Sequence, residues 1–395
     1  MTAALSGSVD APYILWGTPH SLYTGKARSY LIKKGLPFRE RCPSDPRYKP
    51  QVLPAVGLVT FPVLETPQGR FIQDSTDIVE YLEECHSGRP MLPPSPVQRV
   101  IAHMLDGFGL EGMLATAMHY RWSYRAKQED FLRAEFGRGL YNGPNRAQRA
   151  AAGERIMAYM SGALPALGIT AAAIPAIERA YEELLEALDI HFQQYPYLLG
   201  FHPSIADFGM MAPMFAHLGR DPVPANLMKQ RAPNVFRWVE RMNLPTMDDG
   251  EFADKSADWL HDESIFTSLE PVLSLVFQDW GAMLRADFAQ YAQWLASDPA
   301  RPAGQVLSAD GQRRVHATLG TVQTIWRGVT MARASAVHGL WLFHKALAAA
   351  KDLQAPERER LDHLLARCGG QYLFEMRLPR SLRREGNVVV LGPMA

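Results

Sequence analysis

The sequence predicts an α/β unit followed by two mainly helical regions, over 395 residues in all. Three observations carry that expectation. Strand and helix signals alternate from residue 12 to about 90. Apolar residues then recur at three- and four-residue steps from about 97 to 245, and a further helical stretch rich in aromatic residues fills 246–395.

In the first unit, Tyr13-Ile14-Leu15-Trp16 reads as a short strand that stops at Gly17-Thr18-Pro19. A helix over 22–34 follows, with Tyr23, Ala27 and Leu31 on one face and Gly35 closing it. Phe38-Arg39-Glu40 reads as a second short strand. After the proline-bearing segment 43–54, two β-rich runs, 58–65 and 70–73, flank a turn from Thr66 to Gly69. A helix then starts near Ser75, with Ile78, Tyr81 and Leu82 facing inward. The run GRPMLPPSP, 88–96, reads as a linker.

In the second region, 175–194 places Ile177, Tyr181, Leu184, Leu188 and Phe192 along one face. Ser204 and Asp207 form a capping box at the next helix, a structural role rather than a chemical one. The third region opens an amphipathic helix with Pro271 and carries it to about 296 through Phe277, Trp280, Phe288, Tyr291 and Trp294. A β-leaning patch, Val322 to Trp326, precedes helices near 338–352 and 356–368, the last ending at Gly369-Gly370.

Charge and composition narrow the function. Lys plus Arg and Asp plus Glu both count 41, so no global field favours nucleic acid or an anionic membrane. Arg380, Arg383 and Arg384 read as a solvated tail. The most apolar stretch, Phe208 to Leu218, is too short to span a bilayer. Cys42, Cys85 and Cys368 are few and odd in number, which argues against a disulfide framework and for a reducing, cytoplasmic setting. The first residues lack a basic segment and a sustained apolar run, so no signal peptide is expected. The histidines show no HExxH-like or Cys/His spacing, so no metal site is expected.

Three features of the first unit bear on chemistry. Ser21 stands between a strand and a helix. Phe61-Pro62-Val63-Leu64 puts a proline at a strand start, where its missing N–H costs no ladder bond. Gln73-Asp74-Ser75 opens a helix, whose free N–H groups and dipole favour a carboxylate. With "TFPVLE", "QDSTDIVEYL" and the distant "SIADF", in this order and spacing, residues 12–245 resemble the glutathione transferase superfamily with a serine-type active-site loop. Gly35 lies fourteen positions after Ser21, an interval similar to that of the serine- and cysteine-type classes.

The resemblance implies a thioredoxin-like α/β domain over 12–90, an all-α glutathione transferase C-terminal domain over 97–245, and a further mainly helical extension over 246–395, about which it says nothing. It implies that Ser21 hydrogen-bonds the glutathione sulfur and that Phe61, before a cis Pro62, pairs its backbone with the cysteinyl part. Asp74 and Ser75, with Gln73 beside them, would hold the γ-glutamyl end, and Lys49 and Gln51 are candidates for the glycyl carboxylate. His20, Tyr23, Tyr120 and Tyr124 are candidates for the pocket of a small hydrophobic electrophile. The resemblance also implies a homodimer. Leu22 and Thr24 stand where thiol-type members often carry a proline and a second cysteine or small residue, which, with serine at 21, argues against glutaredoxin-like disulfide exchange.

The chemistry suits a serine without a base. A thiolate is the nucleophile, and a free thiol titrating near pKa ~8.5 is only slightly ionised at neutral pH. One donated hydrogen bond and a helix N-terminus lower that value by about one to two units. Other readings of the same residues stand beside this one. Ser21 also fits a plain helix cap, His20 a packing group, and Tyr120 and Tyr124 a core stack. The alternative for the whole chain is a non-catalytic scaffold or ligand carrier of the same fold, with the extension covering the cleft or forming a partner surface; a third reading makes the extension a lid that shapes a pocket for a bulky substrate.

Overall fold

The first strand and helix form where the residue patterns place them. In the computed structural model of the chain, which describes residues 8, 10–246, 250–253, 255 and 259–393 (without the side chains of 263–266), β1 spans Tyr13–Trp16 and α1 Leu22–Lys34. Gly35, at φ 72°, closes α1 in the left-handed region, behind Lys33 and Lys34 in the last turn. β2 is Phe38–Arg41, α2 Leu53–Val56, β3 Val63–Glu65, β4 Phe71–Gln73 and α3 Ser75–Cys85. The expectation drawn from the chain's first residues rests largely on 1–7 and 9, which lie outside the described residues.

The helices continue with α4 (Pro96–Gly107), α5 (Leu114–Trp122), α6 (Arg125–Leu140), α7 (Arg146–Ser161) and α8 (Ile174–Phe192). α9 (Ile205–Ala216), α10 (Pro222–Arg231), α11 (Pro233–Met242) and α12 (Asp262–Ala296) follow. Then come β5 (Thr321–Trp326), β6 (Val329–Ala334), α13 (Val337–Lys351), α14 (Ala355–Cys368), α15 (Gln371–Glu375), β7 (Leu382–Glu385) and β8 (Val388–Leu391). The chain divides into two compact units. One comprises residues 1–91, 117–163 and 210–254; the other comprises 92–116, 164–209 and 255–395. Among the described residues, no helix is long and apolar enough to cross a membrane.

The first unit is built on a four-stranded sheet of order β2-β1-β3-β4, with β1 parallel to β2 and the other pairs antiparallel. This is the thioredoxin-like arrangement that the sequence predicts. Trp16, Tyr48, Val52, Val56 and Val63 are buried together on it, with Ile14, Phe61 and Phe71 packed against them. The expected strand over 58–65 is shortened to Val63–Glu65, because Pro62 cannot donate to a ladder and the chain bends before it.

In the second unit the Asp207 half of the Ser204–Asp207 box is in place: Asp207 Oδ2 accepts from Ser204 N–H at 2.9 Å and from its hydroxyl at 3.0 Å. Its Oδ1 accepts from Leu198 N–H at 2.9 Å. α12 does not begin at Pro271. It starts nine residues earlier and runs 35 residues with Pro271 inside. An interior proline costs about 3 kcal/mol. Here the buried row Leu269, Val272, Val276, Phe277, Trp280, Leu284 and Tyr291 offsets that cost and carries the helix through.

The extension is mainly helical and also carries two hairpins. β5 and β6 are joined by Arg327-Gly328, at φ 47° and 80°; β7 and β8 by Gly386-Asn387, at φ 53° and 67°. Positive φ at both central residues matches the twist of the flanking strands. The C-terminal arginines are therefore not a solvated tail. Arg380 is buried and donates to the carbonyls of Arg301 and Gly392, while Arg383 and Arg384 lie in β7.

Candidate active site

Strand register brings the three sequence features to one end of the sheet. Trp16, the last residue of β1, pairs with Val63, the first of β3, and Val63 pairs with Gln73, the last of β4. The chain leaving β1 toward Ser21, the Phe61-Pro62 segment entering β3 and the chain leaving β4 into Asp74-Ser75 all sit at that edge. The Phe61–Pro62 peptide bond is cis.

Ser21 is the N-cap of α1, at φ −87° and ψ 122°, and is partly exposed. Its Oγ accepts from Thr24 N–H at 3.4 Å, a long bond. A hydroxyl has one donor hydrogen and two lone pairs, so the cap leaves the hydrogen free to be donated. The first turn of α1 holds no acidic residue, so nothing there competes for the positive end of the helix.

At the other helix start, Asp74 takes φ 88° and caps α3, its Oδ1 accepting from Thr76 N–H at 2.8 Å. Ser75 is fully buried, and its Oγ has no hydrogen-bond partner. Such a group costs about 1–3 kcal/mol until something bonds it. Gln73 is buried beside them, and Lys26, also buried, donates from Nζ to Thr76 Oγ1 at 2.8 Å.

The remaining predicted residues are distributed around this core. Lys49 and Gln51 are exposed on a π-helical turn, Tyr48–Val52, whose Tyr48 ring lies 5.6 Å from that of Phe61. His20 is buried with its ring 4.0 Å from that of Phe136. Burial, assisted by the charge of Arg121, holds its imidazole well below the usual value, so it is neutral at pH 7. Tyr23 is half-buried on α1. Tyr120 is buried and stacks on Tyr124 at 5.8 Å and 14°, with His119 edge-on to both. Strand register thus brings Ser21, Phe61, Pro62 and Gln73 to Ser75 to one end of the sheet, and Tyr120 and Tyr124 stack on each other on α5 and the turn after it.

A residue that sequence reasoning passed over reaches the Ser21 loop. Arg121, the next residue after Tyr120, donates from Nη1 to the His20 carbonyl at 2.8 Å and is forked to Asp221. The signal was a cation among the aromatics of "MHYRWSY", but its carboxylate stands one hundred positions later. Among the described residues no group of three His, Cys, Asp or Glu side chains is arranged to hold a metal.

Residues 15–90 match the family model of the glutathione S-transferase N-terminal domain. That match puts the sheet and its edge in the thioredoxin-like class of domain with which those transferases begin. A glutathione S-transferase of Pseudomonas putida is 34% identical over 85 residues, 22% of this chain. The match spans 38% of that relative's length. Solved structures similar to this chain include a glutathione S-transferase of Methylobacterium radiotolerans in complex with glutathione sulfonate. It is 21% identical, with 63% of this chain and 96% of that one covered and a TM-score of 0.34. The β-etherase LigF of a Sphingobium species is 17% identical, over 65% of this chain and 98% of that one, with a TM-score of 0.38.

Proposed function

We propose that the protein is a glutathione transferase-like enzyme in which Ser21 stabilises the thiolate of glutathione for attack on a small hydrophobic electrophile. The observation that carries this reading is the convergence of Ser21, cis Pro62 and the Asp74–Ser75 helix start at one sheet edge, with the Ser75 hydroxyl buried and unbonded. A ligand carboxylate or amine at that helix start supplies the missing partner. The Phe61 backbone, beside the cis bond, pairs with the cysteinyl part, and Lys49 and Gln51 lie on the turn available to the glycyl end.

The Ser21 hydroxyl donates to the sulfur, the thiol proton passes to solvent, and the N-terminus of α1 adds its dipole. The sulfur then forms a bond to an electrophilic carbon, and a leaving group departs with its electron pair or a conjugated system takes the charge. Conjugation, ether cleavage, dehalogenation and isomerisation share this first step. The electrophile lies against His20, Tyr23, Tyr120 and Tyr124 in this reading. The setting in this reading is reducing and cytoplasmic. Residues 97–245 take the part of the all-α domain, 246–395 are an addition to it, and the working form is a homodimer, which light scattering tests.

The test is glutathione titration by calorimetry, followed by conjugation assays on wild type and Ser21→Ala. The wild type binds glutathione, and S21A loses on the order of a hundredfold in kcat, as when a donor to a developing anion is removed. Its stability falls by only about 1 kcal/mol, the worth of the cap. Absence of binding at millimolar glutathione ends the reading.

A further inference from the structure

The Ser21 loop is held from outside its own strand and helix by one buried cation. Arg121 is 2% exposed, and each of its five N–H groups has an acceptor. Nε and Nη2 donate to the two Asp221 oxygens at 2.6 and 3.0 Å. Nη2 also donates to the Ala216 carbonyl at 2.6 Å, and Nη1 donates to His217 Nε2 at 2.9 Å and to the His20 carbonyl at 2.8 Å. His20 directly precedes Ser21. The same peptide unit is tied on its other side, since Ser21 N–H donates to the Thr18 carbonyl at 3.1 Å. Both polar groups of the His20–Ser21 peptide are therefore fixed, and Ser21 Cα is bonded to that plane. Around it, the His20 ring lies on Phe136, and Gly139 admits Thr18, whose Cγ2 a Cβ there would meet at 3.0 Å.

We infer that Arg121 is a positioning residue for the reaction: its hydrogen bond to the His20 carbonyl, braced by the fork to Asp221, aims the Ser21 hydroxyl at the sulfur. The inference rests on the glutathione transferase reading. A planar guanidinium holds several acceptors in fixed directions at once; a lysine ammonium has three donors and no fork. Misplacement of a catalytic group by about 1 Å costs on the order of a hundredfold in rate.

Replacing Arg121 alone leaves the Asp221 carboxylate buried without its partner, so the pair is replaced together as Arg121→Met/Asp221→Asn, with Arg121→Lys as a second variant. Two measurements are made on the full chain: amide hydrogen exchange over residues 17–25, and ultraviolet titration of the thiolate of bound glutathione. In the double variant, exchange at the Ser21 amide rises about tenfold or more while the core of α1 stays protected. Glutathione still binds, but its thiol titrates about one unit higher and kcat falls on the order of tenfold to a hundredfold. R121K falls between. A purely structural role lowers stability and raises exchange everywhere without moving the thiolate titration, and that result overturns the inference. So does a folded double variant with wild-type exchange at 17–25. If the wild type itself shows no bound thiolate, the transferase reading falls, and the exchange measurement alone decides whether Arg121 holds the loop.

Discussion

Ser75 shows how one unpartnered atom separates folding from binding. Its Oγ is buried with nothing to bond, so the hydroxyl lowers the stability of the free protein. Ser75→Ala is expected to raise the stability of the free protein by about 1 kcal/mol and to weaken glutathione by about five- to tenfold. Denaturant unfolding and calorimetry read the two effects. A variant that loses stability would show that Oγ has a partner in solution. Buried histidines set the acid limit. His20 and His217 are held well below the usual value, and His191 is pushed down to about 4, all chiefly by burial. A group whose folded value is lowered binds its proton first in the unfolded state. Stability is therefore complete above about pH 6.5 and falls as pH drops below it, by about 1.4 kcal/mol per unit for each such histidine. Denaturation midpoints between pH 7.5 and 5 test this; a flat profile would mean that the rings are solvated.

At the scale of elements, close approach decides residue choice. Gly209 lies inside α9, where a glycine weakens a helix by about 1 kcal/mol. An added Cβ would stand 2.4 Å from Asp106 Cα, in α4, so the two helices meet with no room for a side chain. Gly209→Ala is therefore expected to destabilise by about 1–3 kcal/mol despite its better helix propensity, measured as a lowered Tm and denaturant midpoint. A gain in stability would mean that the helices separate at no cost. The Ser204–Asp207 box at the start of α9 was readable because capping is local in sequence. The packing of Gly209 on Asp106 was not, because its partner is one hundred and three positions away. Likewise Gly386-Asn387 before Val388-Val389-Val390 is a hairpin signal that the neighbouring arginines obscured.

For the molecule as a whole, the extension is part of a core. α4 and α8 lie in the same compact unit as residues 255–395. Gln98 of α4 donates to the Leu260 carbonyl and to Asp262, both at 2.8 Å, and the Trp280 ring lies against Gly107. Glu183 of α8 pairs with Arg327 at 2.6 Å, beside the Arg327–Asp279 pair. Ending the chain after residue 245 uncovers these faces, so the shortened protein is expected to aggregate on expression or bind a hydrophobic dye, while the full chain does not. A soluble, monodisperse fragment would show that the extension is dispensable to the fold.

The sequence by itself determined the thioredoxin-like unit, the helix starts at Leu22 and Ser75, the capping box at Ser204 and which residues cluster at the sheet edge. Those features are written in neighbouring residues: a period, a cap, a glycine, a proline before a strand. Only the tertiary structure decided that Arg121 and Asp221 brace the Ser21 loop, that Ser75 lacks a partner, that Pro271 lies inside a helix and that Arg380 is buried. Each of these depends on contacts between residues far apart in the chain, whose energies leave no local periodicity to read.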